Sequence, residues 1–316
     1  MDEIIEKYET LRLSRVKRAR IFQIIFIAAI VVMTICFVVT IIMGGDTFVS
    51  ILAGINIVLF IIFISLFLTE KRKWYRFFKT TIVKDLIQAK YPGSVFNPDA
   101  GIDLNTLMKP EFFARPDRYY SNDLLVAGID STSFTMSDYV LQKRHEDKDG
   151  HITYQTYAEG RFFDFHFNRD FKNTVRVIEK QGFFTFGDKS KRVELESVDF
   201  NKKFNTYATD ELTAFYILTP QVQEEMLRLE SCFKGNIMFC FNVDHLYIAV
   251  NDGKDSFVSD LFKPISKDNI AKLVEEIEIP LNFINALKLN REKYSRDIDN
   301  DAIWFASFYI WRKKYY

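Results

Sequence analysis

Glycine and proline are scarce in this chain, 12 and 7 among 316 residues, and cysteine and histidine are scarcer still, with three and four. So little Gly and Pro excludes a linker-rich or low-complexity polypeptide. Three cysteines exclude a disulfide scaffold. Cys36 lies in an apolar run, so Cys232 and Cys240 alone could pair, and "SCFKGNIMFCFNV" around them has neither C-x-x-C nor zinc spacing. Free thiols suit a reducing compartment, which points to cytosolic exposure.

Motifs of known chemistry are also missing. Without G-x-S-x-G there is no nucleophile elbow. "GFFTFGDKS", Gly182 to Ser190, lacks the Lys and hydroxyl directly after its second Gly, and Asp188 would repel a phosphate, so it reads as a strand and turn. His145, His151, His166 and His245 show no H-E-x-x-H spacing. His145 and His151 flank an Asp-Gly turn and could face each other across it as a weak metal pair, against the simpler reading of a solvated hairpin. His166 alternates with Phe163, Phe165 and Phe167, so it belongs on the opposite face of a strand. Asp147, Asp149 and Gly150 lack the other ligands of a calcium loop. The sequence therefore assigns no catalytic, cofactor-binding or metal-ligating residue and implies no cofactor.

Net charge of one sign is absent too, but the zero total hides an asymmetry. Residues 1–90 hold 13 Lys/Arg against 7 Asp/Glu, a balance of +6; the rest holds 29 against 35, a balance of −6. An acidic body without a basic stripe argues against nucleic acid as a partner.

What the chain does have is apolar length. Ile21 to Met43 is 23 residues without a charge, and Phe48 to Thr69 is 22 more. At about 1.5 Å per helical residue, each reaches about 33–35 Å, enough for a hydrocarbon core of about 30 Å. A cleaved signal would be shorter and would not be followed at once by a second run. The spacing predicts a cytoplasmic N-terminal helix over 1–20, transmembrane helices over 21–43 and 48–69, an outside turn over 44–47, and a juxtamembrane amphipathic helix over 70–91. Arg12, Arg15, Lys17, Arg18 and Arg20 precede the first run, and Lys71, Arg72, Lys73, Arg76 and Lys79 follow the second. The turn has no Lys or Arg, so a two-span protein of the cell membrane with both termini in the cytoplasm is expected. An Asn56–Thr34 hydrogen bond and a Ser50/Gly54 small-residue pair would join the helices. Trp74 and Tyr75 sit where an interfacial aromatic belt would, and Tyr91-Pro92-Gly93 should stop the last helix.

From 92 to 316 the pattern predicts a cytoplasmic α+β domain on a largely antiparallel sheet. Short strands are expected over 123–130, 133–144, 152–160, 161–168, 174–180, 183–186 and 192–197. A helix is expected over 219–231 with Thr219 as N-cap and Pro220 at its first position. A hairpin is expected over 236–250, and one or two helices over 266–289, interrupted at Pro280. The 32 Phe fit either a large aromatic core or a genome rich in A and T. "FNRDF" (Phe167–Phe171) and "FNKKF" (Phe200–Phe204) each suggest a helical turn pinned by two Phe four apart. In "VDFNKKFNTYATDELTAFYILTP", Asp199 and Asp210 are candidate caps, and Asp210 and Glu211 cannot form an acid–base pair, being adjacent. Residues 214–218 alternate as in a buried strand.

The run "VELESVDFNKKFNTYATDELTAFYILTP", with "YYSNDLLVAGI" and "FNRDFKNTVRV" before it, resembles an uncharacterised bacterial membrane family, a domain of unknown function, over about Pro92 to Leu261. Glu196, Phe200 and Phe204, followed by Leu218-Thr219-Pro220, carry the resemblance. It implies two N-terminal spans and a cytoplasmic domain, and no activity, cofactor or site. An Arg common in that family is replaced here by Phe215. The function expected is a non-enzymatic, membrane-anchored interaction or scaffold domain, with a protein partner or a second copy as ligand. The alternative is a tethered sensor for a small molecule or lipid headgroup. "IWFASFYIWRKKYY", Ile303 to Tyr316, is a candidate docking element.

Overall fold

The computed structural model describes residues 2–42, 47–180 and 190–287. They divide into two compact units, Met1–Val83 with Phe257–Leu273, and Lys84–Ser256 with the chain from Val274.

The first unit is helical. α1 (Asp2–Ile42) and α2 (Thr47–Phe77) each extend an apolar run with its charged flank, so the charged ends continue the helices as expected. Tyr8 meets Phe77 edge-on at 6.4 Å and Phe26 stacks on Phe60 at 4.6 Å, which makes the two helices antiparallel neighbours. Thr34 donates its hydroxyl hydrogen to Ile30 O within α1. The side chains of Asn56 and Ser50 lie outside the described residues. A Cβ built on Gly54 meets nothing within 4 Å, so close helix approach is not what this glycine provides. Trp74 departs from the interfacial expectation: it is only 1% exposed and packs on Phe77 and Phe78. After α2 a π-helical turn (Phe78–Val83) buries Phe78, Lys79, Ile82 and Val83. The returning segment docks on the same unit. Arg12 donates to Leu261 O at 2.7 Å, Ile265 N donates to Glu9 at 2.9 Å, and Phe262 stacks on Phe67.

The second unit is α+β. α3 (Lys84–Lys90) ends at Tyr91-Pro92-Gly93, where Gly93 takes φ +80. β1 (Val95–Asn97) and α4 (Leu104–Met108), capped by Asp103, lead into three long strands: β2 (Arg118–Ile129), β3 (Thr132–Glu146) and β4 (Ile152–Glu179). Short β5 (Lys191–Val193), α5 (Val198–Lys203), β6 (Phe204–Ala208), α6 (Glu211–Ile217) and α7 (Pro220–Ser231) follow. β7 (Asn236–Asn251) follows, and α8 (Lys267–Leu287), which belongs to this unit from Val274 on, runs unbroken through Pro280 where an interruption was expected. Among the described residues the sheet has seven strands, all antiparallel, in the order β1-β2-β3-β4-β6-β5 with β7 on the other side of β4.

β4 is the spine. Its first half pairs with β3 and its second half with β6 along one edge, while β7 runs along the other from Arg161 to Ile178. Three strands expected separately, over 152–160, 161–168 and 174–180, are thus one, because β3 and then β6 on one edge and β7 on the other, with register shifts between His166 and Val175, carry the strand past the local polar breaks. The 236–250 region is likewise one strand and not a hairpin; Val243, at φ 54, kinks it without reversing it. The Asp-Gly turn forms as expected, with Asp147 accepting from the backbones of Asp149 and His151. His145 pairs with Thr153, however, so it does not face His151.

Period-2 alternation places the core on both faces of β4. Phe163 and Phe165 meet Phe283 of α8 at 5.1 and 6.1 Å, and Phe165 meets Phe134. On the opposite face Phe162, Tyr139 and Tyr247 pack with Phe112, Phe113 and Leu107. Phe167 is buried within β4, so "FNRDF" is strand and not a helical turn; the side chains of 168–171 lie outside the described residues. "FNKKF" does form the turn, α5 and its C-cap, with Phe200 and Phe204 buried and 5.0 Å apart. Ser197, not Asp199, caps α5. Residues 214–217 belong to α6, with Leu218 as its C-cap, where alternation over 214–218 suggested strand. Asp210 accepts from the Thr213 backbone and hydroxyl, and that cap decides the conformation of a short apolar run.

β7 passes so close to β4 that a Cβ on Gly160 would lie 2.0 Å from Val250 O, whereas one on Gly128 would have its nearest neighbour at 3.9 Å. Gly160→Ala is expected to destabilise the purified full chain by at least about 1–3 kcal/mol through this clash, and Gly128→Ala by much less. Urea midpoints of the two variants check this.

Candidate functional site

Among the buried and half-buried polar groups of the described residues, two constellations gather several titratable side chains at one place. Both are built by residues far apart in sequence.

The first is buried where β2, β3 and the segment after β7 meet. Asp138, on β3, accepts from Ser256 twice, from its backbone N at 2.5 Å and its hydroxyl at 2.6 Å. Asp123, fully buried, sits in a bulge of β2 at φ 58 and accepts from Asn122 Nδ2 at 2.9 Å. The bulge turns Asp123 toward Asp138, and the carboxylates of Asp123, Asp138 and Asp255 lie within 4.8 Å of one another. Burial is the main reason that the Asp138 carboxyl is pushed up to about 8, with the neighbouring charges of Asp123 and Asp255 adding to it against the Ser256 hydrogen bonds. Asp138 thus holds a proton near neutral pH. In the same domain, Arg161 pairs with Asp252 at 2.6 Å, both nearly inaccessible, and its guanidinium lies 5.5 Å from the centroid of the Phe233 ring.

The second constellation lies on the β4–β7 ladder. His166 and His245 are direct cross-strand partners, with ring centroids 5.1 Å apart. Asp244 reaches both, His166 Nε2 at 2.9 Å and His245 Nε2 at 3.3 Å. Asp164, two residues before His166 and on the same face, meets His245 Nδ1 at 2.5 Å. The Tyr247 ring stacks on His245 at 5.2 Å, almost parallel. Burial alone would lower the His245 pKa, but the Asp164 hydrogen bond and the charges of Asp164 and Asp244 outweigh it and raise it.

Alternation correctly puts His166 opposite Phe163, Phe165 and Phe167. What it could not give is the register that sets His166 beside His245, 79 positions later. The available signal was a pattern shared by the two segments, Asp-x-His in "DFH" (Asp164–His166) and Asp-His in "DH" (Asp244–His245), each within an apolar strand-like run. The remaining candidates stay apart. Asp199 is exposed and paired with Lys202, Asp210 is an N-cap, and Glu211 lies in the first turn of α6. His145 and His151 are exposed. Cys240 is buried in β7 and Cys232 is exposed beyond α7, so the two form no disulfide. Of the Gly182–Ser190 segment only Ser190 is described; it accepts from Arg176 at 3.2 Å. Phe215, where the resembling family often has Arg, is partly exposed on α6. Ile303–Tyr316 lies outside the described residues.

Residues 156–289, which take in most of β4 and all elements through α8, match the family model described as "Protein of unknown function (DUF3137)". Among solved structures, one similar to this chain is the crystal structure of the mycobacterial trehalose monomycolate transport factor A, TtfA. It is 7% identical, with a TM-score of 0.37, and the match covers 70% of this chain and 99% of that one. None of the functionally curated proteins matches the chain.

Two predictions concern the buried groups. The native state keeps the Asp138 proton up to about pH 8, whereas the unfolded chain releases it near the ordinary 3.8. Between those values the native state binds more protons, so this group's contribution to stability falls as pH rises from about 4 to 8. Asp138→Asn is expected to flatten that part of the stability–pH profile, and Asp149→Asn, at an exposed turn, to leave it unchanged. Arg161→Ala leaves the buried Asp252 with Lys254, 4.0 Å away and half-exposed, as its remaining cation and is expected to cost up to about 3–5 kcal/mol, measured by urea unfolding.

Proposed function

We propose that this chain is a membrane-anchored protein whose sheet domain serves as a non-enzymatic interaction domain on the cytoplasmic side. One observation carries the anchor. Among the described residues one helix, Tyr8–Val39, is long and apolar enough to cross a membrane, its most apolar 18 residues having a mean hydropathy of 2.9. Ile24, Ile35 and Phe37 are 58–67% exposed along it. Such a surface in water would cost about 25 cal/mol per Å² of apolar area, which lipid removes.

The finer reading is two spans. α2 supports it with an apolar run whose Ile51, Val58 and Ile61 are 56–62% exposed. The clusters of Arg and Lys at the outer ends of α1 and α2, with none between the helices, favour both termini in the cytoplasm. For the interaction role, the support is the exposed stripe Leu212, Phe215 and Tyr216 on α6, spaced i, i+3, i+4. A protein partner is the occupant this stripe fits.

Reporter fusions test the topology. A periplasmic phosphatase joined after residue 46 should be active and a fluorescent protein joined after residue 91 should glow; the opposite pattern, or release of the chain by alkaline carbonate, overturns the anchor. For the interaction, a photocrosslinking residue in place of Phe215 should give a discrete protein adduct in intact cells. Labelling no stronger than from Lys148, on the exposed β3–β4 turn, would overturn it.

A further inference from the structure

The His166–His245 pair is assembled by backbone geometry that a plain antiparallel ladder does not supply. In a regular strand Asp244 would point away from the face that carries His245. Here the β4–β7 register shifts just beyond His166, and Val243 adopts φ 54, a conformation that β-branched residues rarely take. Bulges of this kind re-aim a side chain, and the result is that Asp244 lies against both imidazoles, 2.9 Å from His166 Nε2 and 3.3 Å from His245 Nε2.

The surroundings fix the rings. Asp164 engages His245 Nδ1 at 2.5 Å and Tyr247 stacks on the ring face, so the nitrogen left to face Asp244 and His166 is Nε2. A carboxylate on the far nitrogen of an imidazole is the outer arrangement that orients histidine toward a metal and raises its basicity. The atoms that His166, Asp244 and His245 offer lie within 4.8 Å of one another. Bonds of about 2.0–2.1 Å in a tetrahedral site separate ligand atoms by about 3.3 Å, so the 3.3 Å Asp244–His245 spacing already fits, while the His166–Asp244 contact of 2.9 Å opens slightly and the whole set, within 4.8 Å, draws in around an ion. Two imidazoles and one carboxylate suit zinc and its neighbours in the transition series, not calcium or magnesium, which take oxygen ligands.

We propose that His166, Asp244 and His245 form a binding site for one divalent transition-metal ion of the zinc class. Asp164 positions His245, and the fourth coordination position opens to solvent on the side of the half-exposed His166. The proposal rests on the β4–β7 geometry alone and does not depend on the membrane reading.

The test uses the full chain carrying a tag without histidine, in a Cys232→Ser background that removes the exposed thiol. Zn²⁺ is titrated against a chromophoric chelator, and Co²⁺ is added to read coordination from its visible absorption. One Zn²⁺ per chain is expected, with the intense Co²⁺ bands of a four-coordinate site. His166→Ala and His245→Ala should each weaken binding at least tenfold. Asp164→Asn should weaken it about 10–100-fold while keeping the stoichiometry, and the His145→Ala/His151→Ala pair should change nothing. Should a histidine-to-alanine variant lose its native far-UV circular dichroism, His166→Asn and His245→Asn replace it. Zn²⁺ affinity that is the same in the parent and in a folded His166/His245 double variant overturns the proposal, and so does a loss caused by the His145/His151 pair instead.

Discussion

Pairing on both edges of β4 is the constraint on which the rest of the sheet domain depends. A strand of 28 residues can run unbroken only if its backbone groups find partners along its length. β3, β6 and β7 provide them, the first two in succession along one edge. Once β4 is fixed, its alternation decides the two cores. Phe163 and Phe165 face α8, and Phe162 faces the layer built from Phe112, Phe113 and Leu107. Burying an aromatic side chain of this size stabilises by about 1.5–3 kcal/mol, so a one-residue slip of β4 would exchange the aromatic positions for Asp164 and His166 and could not be tolerated.

The same constraint explains where polar chemistry is found. Buried polar side chains of the sheet stand where partners are at hand, as Arg161, Arg176 and Glu179 do within β4, and the two clusters of titratable groups form where alternation is broken. The β2 bulge turns Asp123 toward Asp138, and the kink at Val243 turns Asp244 toward the two histidines. One cluster buries Asp123 and Asp138 with Asp255 exposed at its edge, and burial pushes the Asp138 carboxyl up; the other is half-open and holds its imidazoles in fixed orientation.

Much of this was legible in the sequence, and the failures have physical causes. The α+β class, the antiparallel sheet, the Asp-Gly turn, the Pro220 helix start and the α5 turn with its paired Phe200 and Phe204 follow from local pattern and turn chemistry. Strand length does not, since whether Gly160 or Asn168 ends a strand depends on neighbours contributed by β3 and β7. Residues 214–218 misled because five alternating residues fit strand and helix alike until the Asp210 cap of α6 is counted. Trp74 looks interfacial by position, yet it is buried, a fact that only packing determines. The histidine cluster was invisible for the same reason as the length of β4: it is a consequence of register across 79 positions, and no spacing within one segment encodes it.

The claim that β4 organises the domain is tested most directly by native-state hydrogen exchange of the full chain, followed by mass spectrometry. Amides of β4 flanked on both sides, around Phe163–Phe165 and Val175–Val177, are expected to exchange slowest, at the rate set by global unfolding. The amides of β1, β5 and α6 should open earlier. Exchange in β4 as fast as at those edges, or protection that ends abruptly at Gly160, would contradict it and would leave three separate strands in place of one spine.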